Sequence, residues 1–210
     1  MVTQRRANSR ELILDAAEAV ALSRGALALT LDAVAERAGV SKGGLLYNFH
    51  NKEALLRAMV DRLCRSFEAR TLERMGVTGA IEAYVSAALD EHADANVAAA
   101  LLAAIANDTK LLAPMREHLS RWLPQLLPAA PSFADRAIVW LATEGLWLLE
   151  LLELSPLNQK QRRQVAARLL ERARAAQNAV DKPDRPDGPK RNGSGKPRAT
   201  DAKRRPGSAK

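Results

Sequence analysis

A single cysteine, three histidines, no proline before Pro114 and few aromatic residues remove several function classes at once. Cys64 alone cannot build an internal disulfide framework, and its solitude fits a reducing compartment. His50, His92 and His118 show no metal-ligand spacing, and His92 with Asp90, Glu91 and Asp94 reads as solvated helix-end residues. No glycine-rich phosphate loop or nucleophile elbow is present, so no metal, cofactor or catalytic residue is expected. With aromatics at only 4%, no stacking platform accompanies the basic residues, which disfavours single-stranded nucleic acid. The longest apolar run, 137 to 152, is broken by Thr143, Glu144, Gly145 and Glu150, and falls short of the ~20 apolar residues of a membrane span. The opening MVTQRRANSR carries no signal-peptide pattern, so the expectation is a cytoplasmic protein without a membrane partner.

The net charge of +8 is concentrated at one end. Residues 181 to 210 carry ten Lys/Arg against four Asp, leaving only +2 for residues 1 to 180. That segment is rich in Pro and Gly and lacks Leu, Ile, Phe, Met and aromatics, which predicts a disordered basic tail. Its Lys203, Arg204, Arg205 cluster is either a salt-sensitive polyanion grip or a solvated extension.

The remainder reads as all-α. Ala- and Leu-rich segments recur with 3.6-residue periodicity, and no stretch alternates as a strand. Ser9 is expected to cap a first helix with Ile13, Ala16, Ala17 and Val20 on its apolar face. Thr30 and Ser41 are expected to cap a second and a third. The predicted spans are about 9–24, 31–38 and 41–49, within a unit of residues 1–51. Asn51 then caps a connecting helix over 52–78, with Leu55, Met59, Leu63 and Phe67 in one stripe. Ala35 is small where two helices must meet, Gly39 suits a positive φ, and Val40 and Leu45 close the core beneath. This is helix-turn-helix spacing. Two glycines at the start of a helix, Gly43 and Gly44, are then explained by close approach of bare backbone to the major groove.

IL-x-AA at 13–17 and LTLDAVAERAGVSKGGLLYNFHNKEALL at 29–56 resemble the DNA-binding domain of the TetR family of bacterial transcriptional regulators. The likeness covers about residues 9–60; beyond it only the general plan of a helical ligand-binding and dimerisation domain, here 79–180, is similar. Asn48 stands where His is common, and His50 where Pro is common. The resemblance implies that Lys42 reads bases, since an ammonium donates to guanine O6 and N7. It implies phosphate contacts for Ser41, Gly44, Tyr47, Asn48 and Lys52 at the third helix and the start of the fourth. For Tyr47 a half-buried structural role stands beside that reading, and Phe49 reads as core. Arg5, Arg6 and Arg10 form either a DNA-reaching arm or an ordinary chain start.

In the second domain, helices are expected at about 79–94, 96–107, 110–127, 132–154 and 158–179. Pro124, Pro128 and Pro131 break the chain ahead of a capping box, Ser132 to Asp135. Ile138, Ala142, Gly145, Leu149 and Leu152 form one seam, and Val165, Leu169, Ala173 and Ala176 a second. Together they predict a homodimer through a four-helix bundle, with packing inside one chain as the alternative. A two-fold dimer spaces its reading heads by roughly 34 Å and implies a palindromic double-stranded operator. A different face bears Trp140, Glu144 and Trp147, an acid between two indoles. It suits a lipophilic cation, with Trp122, Met115, His118 and Tyr84 as further walls. The competing reading packs the tryptophans as core and pairs Glu144 with an arginine such as Arg172.

The functional expectation is a ligand-responsive, sequence-specific transcriptional regulator, more specifically a repressor released by a small-molecule effector. The readings weighed against it are a sequence-indifferent DNA-packaging protein and a helical enzyme.

Overall fold

In the computed structural model the described residues are 2–25, 28–90, 94–105, 108–129 and 132–178. They form helices α1 (Val2–Arg24), α2 (Leu31–Ala38), α3 (Lys42–Asn48), α4 (Lys52–Thr78), α5 (Ala80–Leu89), α6 (Asp94–Ile105), α7 (Ala113–Leu126), α8 (Phe133–Leu151) and α9 (Gln159–Asn178). A 3₁₀ turn, Thr109–Leu112, precedes α7. The predicted all-α class is what the chain adopts. The tail from 181 and His92 lie outside the described residues.

Three of the expected caps form. Thr30 Oγ1 accepts from the Ala33 N–H at 3.2 Å, Ser41 Oγ from Gly44 at 3.1 Å, and Asn51 Oδ1 from Ala54 at 2.7 Å. Each satisfies a donor that the first helical turn would otherwise leave open. Gly39 takes φ 65° and donates to Ala35 and Glu36 carbonyls, so the chain turns tightly from α2 to α3.

Other boundaries differ. Ser9 caps nothing, because α1 begins seven residues earlier at Val2 and includes Arg5, Arg6 and Arg10. The connecting helix, by contrast, covers the expected 52–78, and the break falls at Gly79, φ 83°, where an added Cβ would stand 2.8 Å from the Gln177 side chain. Pro124 lies inside α7. It is exposed and two residues from the helix end, so the missing N–H forfeits a single backbone hydrogen bond of the last turn. Ser132 stands at the N-cap of α8 but makes no capping bond, so the expected box is absent. The same helix stops at Leu151 rather than 154, closed by Glu153 at φ 55° and by the Leu154 N–H on the Leu149 carbonyl.

The first core joins Ile13, Leu14 and Ala17 of α1 to Val34, Leu45, Phe49, Leu55 and Met59, and extends to Val97, Leu101 and Leu111. A second joins Ile81 and Val85 of α5 to Val139 and Leu146 of α8 and to Leu169 and Ala173 of α9. The third is aromatic: Tyr84, Trp122 and Leu126, with Phe67, Met75 and Trp140 against them. Burying a large aliphatic or aromatic side chain contributes roughly 1.5–3 kcal/mol, so these clusters supply the main driving force. The long helix α4 borders the first and third, and one arginine ties it to α1: Arg62 meets Asp15 at 2.5 Å, Glu18 at 3.2 Å and Glu11 at 3.5 Å.

Candidate nucleic-acid interface and effector site

Helix α3 stands out from the first core on the anchor of Leu45, which is fully buried. Its opposite side is open. Lys42 and Gly43 are exposed, and Tyr47 is 68% exposed, which removes the half-buried role considered for that ring. An added Cβ on Gly43 would meet nothing within 4 Å, so nothing in the chain itself requires glycine there. Gly44 differs: its Cβ would stand 3.3 Å from the capping Ser41 Oγ, so the local cap already favours a bare backbone.

The Lys42 ammonium pairs with Asp32 of α2 at 2.9 Å, a partner that sequence reasoning missed. Both groups are well exposed, so the pair contributes little stability and is readily exchanged for another anion. Lys52 sits exposed in the first turn of α4, where the helix end adds its own attraction for phosphate. Asn48 is placed otherwise than expected. Its Nδ2 donates to the Gly44 carbonyl at 3.0 Å and to Ser9 Oγ at 3.4 Å, tying α3 to α1 instead of leaving the amide donors for phosphate. Arg10 lies on α1 with its guanidinium over the buried Phe49 ring at 5.3 Å, so it is part of the domain and not of an arm.

The effector residues divide into two groups. Tyr84, Trp122 and Trp140 come together, and the Tyr84 hydroxyl donates to Glu144 at 2.5 Å. Burial, followed by the neighbouring Glu144 charge, raises the Tyr84 phenol above its ordinary range. Burial likewise raises the Glu144 carboxyl, and the Tyr84 hydrogen bond partly opposes that rise. Trp147 is half-buried on the same flank of α8, outside the aromatic cluster. Met115 and His118 do not join them. Met115 Sδ lies 3.7 Å from Cys64 Sγ, and His118 lies between Asp61 and Glu68 of α4, at 3.6 and 3.2 Å. Arg172 is not the partner of Glu144. Two open clefts lie elsewhere: about 410 Å³ between α1 and α2, beside Arg24 and Arg37, and about 470 Å³ beside Arg74, Thr78, Glu82 and Arg174.

The two expected seams also separate. On α8 and its C-cap, Ile138, Ala142, Gly145, Leu149 and Leu152 are all exposed, joined by Leu141 and Leu148. On α9, by contrast, Leu169, Ala173 and Ala176 are buried within the chain's own core, and only Val165 of that row is exposed. The second seam is thus intramolecular packing, because α9 turns its small residues toward α5.

Two family models match the chain: residues 13–59 that of bacterial regulatory proteins of the tetR family, and 78–174 that of the tetracyclin repressor-like C-terminal domain. Among curated proteins, the regulator SrpR of Pseudomonas putida is 33% identical over 82 residues, 39% of this chain and 38% of SrpR. The regulator TtgR, also of Pseudomonas putida, is 40% identical over 55 residues, 26% of each chain. The chain therefore spans well under half the length of either relative. Solved structures agree in fold over far more. A transcriptional regulator from Rhodococcus sp. Rha1 superposes with TM-score 0.62 at 24% identity, covering 82% of this chain and 98% of its own. The multidrug binding protein EbrR, complexed with imidazole, gives 0.58 at 21%, covering 76% and 93%. The two matched segments lie on the helix-turn-helix unit and on the helical remainder, and together they take in more than half of the residues: the chain belongs to the TetR family of bacterial regulatory proteins.

Proposed function

We propose that this chain is a homodimeric, sequence-specific transcriptional repressor that leaves a palindromic operator when a small lipophilic effector binds its C-terminal half. The observation that carries the reading is α3: buried on one side through Leu45 and bare on the other at Gly43, with Lys42 beside it. A helix tip without side chains approaches base edges more closely than any other surface of the domain, and Lys42 then reads guanine in the major groove. Ser41, Gly44, Tyr47 and Lys52 are the proposed phosphate contacts, which orient without specifying.

The pairing face is the outward row of α8, from Ile138 to Leu152. Seven exposed apolar or small residues on one helix face are unusual for a solitary chain and favour a second copy across a two-fold axis. Regulation runs through α4. Effector binding among α4, α5, α7 and α8 displaces α4, and Arg62 carries the displacement to α1 and the reading head. Such coupling is typically about 1–3 kcal/mol. Sedimentation of the full chain and of Leu149→Asp tests the symmetry. The wild type should sediment as a dimer and the variant as a monomer with weakened duplex binding; a wild-type monomer at working concentrations contradicts the reading.

A further inference from the structure

The buried and half-buried acids of α5 and α8 meet guanidinium groups, with one exception. Glu82 pairs with Arg174 at 2.7 Å and Glu150 with Arg162 at 2.6 Å. Glu144 has no lysine or arginine partner among the described residues; the group that reaches it is the neutral Tyr84 hydroxyl. A carboxylate held among aromatic rings without a countercharge is costly in the absence of a cation. Aromatic faces are also what attracts an organic cation. On the same wall the buried Trp140 indole nitrogen leans toward the Tyr84 hydroxyl without forming a well-aligned hydrogen bond. Trp140, Glu144 and Trp147 are each half-buried, so this flank of α8 is reachable from outside the core.

We propose that Glu144 anchors a protonated aryl-alkylamine, and that Tyr84 occupies the anchor in the free protein until the amine displaces it. The proposal rests on the ligand-responsive reading above and names its ligand class. The ammonium N–H takes the place of the phenol O–H on the carboxylate, and the aryl body lies against the indoles of Trp140 and Trp147. The direction of the response follows from the next contact. Tyr84 stands edge-on against Phe67 of α4, centroids 5.0 Å apart at 77°. Loss of the Glu144 bond frees the Tyr84 ring and with it the packing of α4, the helix that Arg62 clamps to α1. The effector signal therefore begins with two side-chain groups exchanging one hydrogen bond.

The test follows tryptophan fluorescence of the full chain titrated with phenylbutylamine and with its neutral counterpart phenylbutanol. Wild type should bind the amine more tightly, by roughly tenfold or more, as a charge-assisted hydrogen bond predicts. Glu144→Gln should erase the difference. Tyr84→Phe keeps the ring but removes the competing donor, so its amine affinity should rise several-fold. Equal binding of amine and alcohol by wild type overturns the proposal, and so does a Tyr84→Phe variant that folds normally and binds the amine less tightly. The wild-type comparison decides even if a variant fails to fold. Operator binding without ligand is measured alongside: its absence refutes the regulator reading and leaves the amine site standing, whereas amine–alcohol equality does the reverse.

Discussion

Replacing Gly43 with leucine should move fold stability and operator affinity in opposite directions. Gly43 is the second residue of α3, and a side chain there meets nothing within 4 Å. Leucine is a far better helix former than glycine, by up to about 0.8 kcal/mol in a helix interior and less in a first turn, so the variant should gain about 0.5 kcal/mol. On DNA the same side chain stands between backbone and base edges. Lifting the tip sacrifices contacts that each discriminate by roughly 1–3 kcal/mol, so operator affinity should fall by at least about tenfold. Urea unfolding followed by circular dichroism reads the first effect, at fixed protein concentration because a dimer's apparent stability depends on it. Fluorescence anisotropy with the operator duplex and a scrambled duplex, at one salt concentration, reads the second. Gly44→Ala serves as a contrast, since its Cβ presses at 3.3 Å on the Ser41 cap and should cost a little stability instead. Undiminished operator affinity in a folded Gly43→Leu protein refutes the proposal that α3 docks by its bare tip.

Three further outcomes follow from named contacts. Arg62→Met removes the clamp between α4 and α1, whose partners are partly exposed; stability should drop by about 0.5–1 kcal/mol in urea unfolding, and effector-driven operator release should weaken. An unchanged effector response in that variant removes Arg62 from the coupling route. Glu144 holds its proton to higher pH folded than unfolded, so its contribution to stability falls as pH climbs from the ordinary glutamate range through the raised folded value. The stability advantage of Glu144→Gln over wild type should accordingly grow as pH rises above the ordinary glutamate range, and a constant gap rejects that assignment. Burial, then the charges of Asp61 and Glu68, push the Cys64 thiol up to about 11, so native protein near neutral pH should react far more slowly with iodoacetamide than urea-unfolded protein.

The helix-turn-helix was legible because its signals are local. Thr30, Ser41 and Asn51 bond backbone within three residues of themselves, and Gly39 answers to a single turn. Ser9 misled for the same reason: a good capping residue says nothing of the seven helical residues before it, and its hydroxyl serves Asn48 of α3 instead. On α8 and α9 the periodicity located apolar faces correctly but could not tell which face meets the chain's own core. Both rows read alike, yet Ile138 is 64% exposed and Ala173 fully buried. Only the way α8 and α9 pack on α5 and on each other decides. The aromatic site was half legible. Trp140 and Glu144 share a flank through helical spacing alone, whereas the Tyr84 bond joins residues sixty positions apart, and His118 was drawn away by two carboxylates of α4. Long-range pairings of this kind, Arg62 with Asp15 and Lys42 with Asp32 included, leave no mark in a sequence window.

The most direct test of the DNA-reading dimer is selection of bound sequences by the full chain from a random duplex pool. Enrichment of an inverted repeat, with half-site centres about one helical turn apart, is the predicted result. A recovered pool that stays random, or that carries a single unrepeated site, contradicts it.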